Sequence, residues 1–229
     1  MTLREFESPD ALAERIAAEI TDRLHDAMQT GGQATLAVSG GSTPVRLFRA
    51  LSQRMVPWER VSITLVDERW VPADHERSNE RLVRENLMID RAAAANFVAL
   101  TSDHATPEQG AATVGERLAV LPRPFDVLML GMGGDGHTAS LFPDGDNLDA
   151  AASMETRDLV APMNAPSQPE PRITMTLPTI LDARHLYLHI EGREKLGVFE
   201  RAKGDGEASE LPIRHVLRNA GDLQVIWAP

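Results

Sequence analysis

The feature that most constrains this chain is a recurring unit. A short, wholly apolar segment runs into a glycine-rich or charged turn, and a helix-like stretch follows. Residues 35–39 lead into Gly40-Gly41-Ser42-Thr43-Pro44 and a helical segment over 45–54. Residues 61–66 lead into the polar stretch that begins Asp67-Glu68-Arg69-Trp70, and a helix follows Ser78-Asn79 to about Met88. Residues 125–130 are the clearest strand and end in Gly131-Met132-Gly133-Gly134-Asp135-Gly136-His137. Strands with no polar face are buried on both sides, which is the habit of parallel sheets with helical crossovers. The pattern predicts further strands at 97–100, 159–163, 173–176, 186–190 and 223–227, and helices at 106–119, 194–202 and 212–218. The first helix is the most regular. Ser8 caps it, Pro9 opens it, Leu12, Ile16, Ile20, Leu24 and Met28 form one stripe, and Gly31-Gly32 closes it. The expected architecture is an α/β fold, a mostly parallel, Rossmann-like sheet flanked by helices on both faces, with residues 1–229 as one domain. In such sheets ligands bind at the carboxyl ends of the strands, so the segments just after strands carry the chemistry.

Composition excludes several classes of function. The 229 residues can bury a core without staples, and with no cysteine there are no disulfides, thiolate metal sites or cysteine nucleophiles. A formal charge of −11 and 4% aromatic residues argue against a nucleic-acid partner. No apolar run reaches the roughly 18 residues of a membrane span, and the charged start Met1–Glu7 lacks a signal peptide's apolar stretch. The expectation is a soluble, cytoplasmic protein without membrane or nucleic-acid partners.

Four segments can carry chemistry. The first, Ser39–Pro44, joins a strand to a helix, with Thr43 as the expected N-cap and Pro44 at the first helical position. The paired glycines Gly40 and Gly41 let backbone N–H groups approach an anion, and the Ser42 hydroxyl can donate to a phosphate. The bland alternative is a tight turn that binds nothing. The second, Gly131–Gly136, matches G-x-G-x-x-G, but Pro143 and Asp144-Gly145 interrupt the crossover helix that a dinucleotide site needs. That fingerprint leaves Asp135-Gly136-His137 unexplained. A histidine beside an acid at a strand end is suited to proton transfer, with the carboxylate orienting the ring. The other histidines, His25, His75, His104, His185, His189 and His215, read as ordinary. The third, Asp67-Glu68-Arg69, puts three charges on the same rim. Arg69 can meet a substrate oxygen, and the acids either orient hydroxyls or neutralise Arg69. A metal site recruiting Asp67, Asp74 and His75 fits no compact ligand spacing. The fourth is Arg172, at the entry to a strand, with Lys195, at the start of a helix. Both are standard phosphate ligands. Lys195 is one of two lysines against 21 arginines. No G-x-S-x-G nucleophile elbow occurs.

With these segments in hand the chain resembles the 6-phosphogluconolactonase family, related to glucosamine-6-phosphate deaminase. The likeness is carried by Ser39–Pro44, Asp67-Glu68-Arg69, Ser78-Asn79, Gly131–Pro143, Pro169–Leu177 and Gly192-Arg193-Glu194-Lys195. These span most of the chain in the family's order. The resemblance implies hydrolysis of 6-phospho-D-glucono-1,5-lactone in the oxidative pentose phosphate pathway, with a phosphosugar lactone as partner and no metal or organic cofactor. It implies His137 as general base, with the Gly40–Ser42 loop, Arg69, Arg172 and Lys195 around the phosphate and the reacting carboxyl end; in a lactone-opening mechanism Asp135 would orient His137 and Arg69 would face the developing charge. Gly40, Gly41, Ser42, Asp67, Arg172 and Lys195 would hold the substrate. The related deaminases place a glutamate before the proline that follows the Asp-Gly-His element. Here that place is Phe142, which cannot relay a proton, and this favours the lactonase. A deaminase or isomerase, and a non-catalytic sugar-phosphate sensor, are the alternatives. Net charge opposes long-range steering of an anionic substrate, so affinity must come from a short-range cluster of Arg69, Arg172, Lys195 and the helix start after Ser42.

Overall fold

A computed structural model describes residues 1–229. Helix α1 (Pro9–Gly31) forms as its sequence demands. The Ser8 hydroxyl accepts from Ala11 N at 3.2 Å, and Gly32 closes the last turn with φ 79°. Its whole apolar stripe, Leu12 to Met28, is buried. At roughly 1.5–3 kcal/mol for each large apolar side chain removed from water, this contact is a main support of the sheet.

The sheet has seven strands in the order β1-β10-β9-β6-β2-β3-β5, and every pairing in it is parallel. The strands are β1 (Thr2–Glu5), β2 (Ala34–Val38), β3 (Val61–Leu65), β5 (Asn96–Val98), β6 (Phe125–Leu130), β9 (Ala183–Glu191) and β10 (Leu223–Ala228). All residues of β2 and β6 are buried, as expected of strands covered on both faces. The chain builds outward from β2 through β3 to β5, then returns to the other side of β2 as β6. That reversal opens a crevice at the carboxyl ends of β2 and β6. Ser39 laces the two strands there, its N–H to Met129 O and its hydroxyl accepting from Gly131 N, both at 3.0 Å.

Helices α2 (Val45–Ser52), α3 (Asn79–Asn86), α4 (Pro107–Ala119), α5 (Leu148–Ala151), α6 (Leu177–Leu181), α7 (Arg193–Lys203) and α8 (Ile213–Asn219) complete the fold. No helix is long and apolar enough to cross a membrane.

The structure departs from the sequence pattern in three places. The strands expected at 159–163 and 173–176 do not join the parallel sheet. As β7 (Val160–Met163) and β8 (Arg172–Met175) they form an antiparallel three-stranded sheet with β4 (Asp67–Arg69), in the order β4-β8-β7. The proline-rich connection between β7 and β8 is too short for a helical crossover, so the two strands pair as a hairpin. Second, Asp67-Glu68-Arg69 is strand rather than loop, because its buried acids find donors nearby. Third, α2 starts after Pro44 with no side-chain cap, so Thr43 is not its N-cap. The N-terminal β1 is a half-exposed edge strand and carries no apolar run that would announce it.

Candidate functional site

A cavity of about 280 Å³ opens at the crevice between β2 and β6 and extends to β9 and the small sheet. Eight of the nine residues expected from the sequence line it: Gly40, Gly41, Ser42, Asp67, Arg69, His137, Arg172 and Lys195. The ninth, Asp135, stands behind His137. Gly41 turns the β2–α2 loop with φ +87°, a left-handed conformation that side chains disfavour.

His137 is held from one side. Its Nδ1 lies 2.5 Å from Asp135 Oδ1, and its backbone N–H donates to the same oxygen at 3.1 Å. Gly133 lets the loop close over this pair, since a Cβ there would come within 2.2 Å of the imidazole. The ring also leans on Phe142, with centroids 4.8 Å apart. Burial pushes the Asp135 carboxyl up, but the hydrogen bonds and charge of His137 outweigh it and leave the carboxyl below its usual value. Nδ1 is thereby engaged, and Nε2 is the ring nitrogen left for chemistry.

The small sheet supplies the cations. Arg69 and Arg172 are direct partners across β4 and β8, so two positive side chains meet on one face. Like charges placed opposite each other are destabilising. Little offsets them: Arg69 Nη1 donates to the Arg77 carbonyl, and its buried Nε has no partner. Arg172 is 3% exposed, donates to Gln168 Oε1 at 2.7 Å, and sits over the Phe142 ring at 5.6 Å. Its nearest carboxylate oxygen, on Glu170, is 3.8 Å away, while Arg77 holds the other Glu170 oxygen at 2.7 Å. Burial, and then Arg69, lower the affinity of Arg172 for its proton.

The two acids of this rim do not neutralise Arg69. Asp67 is buried and accepts from the Ser140 hydroxyl at 2.6 Å. Glu68 is 1% exposed and faces the start of α3, accepting from Arg69 N, Asn79 N, Glu80 N and the Ser78 hydroxyl at 2.7–3.0 Å. Burial raises its pKa above the usual carboxylate range, with the backbone donors working against that rise. Asp67, Asp74 and His75 do not form a metal site, and no three His, Asp or Glu side chains are placed to share an ion.

Lys195 lies in the first turn of α7, beyond the carboxyl end of β9, and its Nζ donates to Thr43 Oγ1 at 3.2 Å. This bond ties the lysine to the Gly40–Pro44 loop, so a cation and the backbone of a glycine turn flank one end of the cavity. Burial lowers the lysine's pKa, with Glu191 and Glu194 partly restoring it.

Three other polar residues line the cavity: Asn79, which the sequence offered only as part of the family likeness, His189, which it read as ordinary, and Gln168, which it did not single out. Asn79 is buried, with its Nδ2 donating to the Asp67 carbonyl at 2.9 Å. His189 is the one whose position was readable, since it lies at the end of an apolar strand, directly before Ile190-Glu191-Gly192.

Comparison with known proteins is consistent across sequence and structure. A family model described as "Glucosamine-6-phosphate isomerases/6-phosphogluconolactonase" matches residues 7–227. A 6-phosphogluconolactonase of Rhizobium meliloti (strain 1021) is 49% identical over 225 residues, covering 98% of this chain and 97% of the relative. The crystal structure of a 6-phosphogluconolactonase from Shewanella baltica OS155 superposes with a TM-score of 0.97 at 43% identity, over 100% of this chain and 98% of the other. A monomeric glucosamine-6-phosphate deaminase shares the fold at a TM-score of 0.81 and 18% identity, over 100% and 97% of the two chains. The fold therefore does not separate the two activities, and the side chains of the cavity must.

Proposed function

This chain belongs to the glucosamine-6-phosphate isomerase/6-phosphogluconolactonase family, and within it we propose that it hydrolyses 6-phospho-D-glucono-1,5-lactone to 6-phosphogluconate. The observation that carries this reading is the His137–Asp135 pair at the wall of a cavity that also holds Arg69, Arg172 and Lys195 without close ion-pair partners. Such a cavity suits a substrate that brings its own negative charge and needs one proton moved.

Lactone opening requires an activated water, stabilisation of an oxyanion and a proton for the departing ring oxygen. His137 Nε2 takes a proton from water as the water oxygen bonds to C1. The C1 carbonyl oxygen becomes an alkoxide, and Arg69 faces that charge. The C1–O5 bond then breaks, and the proton on His137 passes to O5. Asp135 holds the imidazole by Nδ1 throughout and stabilises the imidazolium between the two transfers. Lys195 and the Gly40–Ser42 loop hold the phosphate, and Arg172 and Asp67 orient the sugar. No cofactor enters these steps. On this reading the protein works in the cytoplasm, as a step of the oxidative pentose phosphate pathway.

Phe142 argues against amine chemistry. The position where deaminases carry a glutamate holds a buried ring that meets His137 at a tilt of 51° and lies beneath Arg172. The test generates the lactone in situ and follows the acid it releases, with the spontaneous rate subtracted. Opening well above that rate supports the assignment; opening no faster than the blank, or ammonia release from glucosamine 6-phosphate, overturns it.

A further inference from the structure

The cavity holds a second histidine–carboxylate pair that the mechanism above leaves unused. His189 is 2% exposed, on β9, and lines the cavity. Its Nε2 lies 3.1 Å from Glu191 Oε1, and its buried Nδ1 has no hydrogen-bond partner. The ring reaches the cavity wall, and its unpartnered Nδ1 is shut off from water, a costly state unless a bound group meets it. The groups around the pair come from every neighbouring element. Glu191 belongs to the same strand, and its other oxygen lies 3.8 Å from Arg46 Nη1 of α2. Arg46 in turn pairs with Asp10 of α1 at 3.2 Å. Lys195 and Glu194 stand at the start of α7, with Glu191 close enough to act on the Lys195 charge. His189 therefore sits at the Lys195 end of the cavity.

We propose that His189, oriented by Glu191, is a phosphate contact whose Nδ1 shares a proton with the substrate's phosphate group. This rests on reading the Lys195 end as the phosphate subsite. The donor count requires the proton. With Nε2–H given to Glu191, a neutral ring keeps only a lone pair at Nδ1. A phosphate dianion also offers only lone pairs, so the two cannot bond until one proton is taken from solvent. A phosphate monoester keeps its second proton to roughly pH 6, so the proton can stay on the phosphate and be shared with Nδ1. It also offsets the Glu191 carboxylate, which otherwise opposes an anion here.

The stable product, 6-phosphogluconate, is the probe, in titration calorimetry across buffers of different ionisation heat. At pH 7.5 binding to the wild type should take up ~0.5–1 proton, and Kd should rise with pH by up to about tenfold per unit. His189→Leu should weaken binding about tenfold, the loss of one hydrogen bond to a charged group. His189→Asn places an amide N–H where Nδ1 stood. It should keep Kd within about threefold at pH 8 while losing the His189 share of the proton uptake. A merely structural histidine would not separate affinity from proton uptake in this way. Wild-type affinity in the leucine variant, or undiminished proton uptake in the asparagine variant, overturns the contact. Lactone opening is measured separately. A chain that opens no lactone but shows this linkage loses the proposed reaction and keeps the phosphate contact.

Discussion

The two sheets reach the same cavity by different means. The seven-stranded sheet delivers most of its groups beyond the strand ends: the Gly40–Ser42 loop after β2, His137 after β6, and Lys195 in the first turn of α7 after β9, while His189 stands within β9 itself. The three-stranded sheet delivers Arg69 and Arg172 from within its strands, side by side across β4 and β8. Turns leave backbone N–H groups and a ring nitrogen free to meet a ligand, and they tolerate proton traffic. Strand pairing does the opposite, fixing two charges against each other before any substrate arrives. Charge that is fixed in advance needs little reorganisation when a reaction develops an anion nearby. Under the proposed mechanism, proton transfer and charge stabilisation fall on separate scaffolds, and substitutions should separate them.

The largest effect should fall on the turn that carries His137. His137→Ala should lower kcat by about 10²–10⁴-fold while circular dichroism shows the fold intact. Turnover near that of the wild type would remove the histidine from the chemistry. On the other scaffold, Arg172→Met should raise KM by about tenfold to a hundredfold, because a charge-assisted contact is lost. The same substitution relieves the Arg69–Arg172 opposition, so the Tm of the ligand-free protein should hold or rise. A fall in both affinity and Tm would mean that Arg172 is structural, and the contrast between the sheets would fail. Lys195→Ala should raise KM by about tenfold with kcat less affected, and an unchanged KM would take Lys195 out of the phosphate subsite. The smallest effect belongs to Asp135. Its carboxyl is held below its usual value in the folded protein, so its contribution to stability is complete above the unfolded-state pKa. That contribution is lost as pH falls through the lowered folded value. Asp135→Asn should flatten the acid limb of a Tm-versus-pH curve, and should slow turnover by disturbing the ring's tautomer. An acid limb identical to the wild type would show that the carboxylate does not feel His137.

The parallel sheet was legible because β2, β3 and β6 are short, mostly apolar runs and α1 repeats its stripe every four residues. The antiparallel sheet was not. Val160–Met163 and Arg172–Met175 look like any short strand, and Asp67-Glu68-Arg69 looks like a loop, because the β4–β8 pairing joins residues over a hundred positions apart and leaves no local mark. The same holds within the site. Glycine turns and the Asp135-Gly136-His137 element announce themselves, since their function depends on local backbone. His189 did not, because a histidine within an apolar strand gains its meaning only from Glu191 beside it and the cavity it lines.

By itself, the sequence determined the α/β class, the positions of the glycine loop after β2 and of the histidine–aspartate pair, and the family through the order of its motifs. These depend on periodicity and on residues close in the chain, which covalent connection already brings together. Only the tertiary structure decided that Arg69 and Arg172 stand opposite each other. It also decided that Lys195 bonds to Thr43 across 152 positions of chain, and that the rim's acids make their hydrogen bonds elsewhere, so the cavity's cations lack close ion pairs inside a protein of charge −11. Electrostatic interactions depend on distance and burial in space, and neither is written in the order of residues.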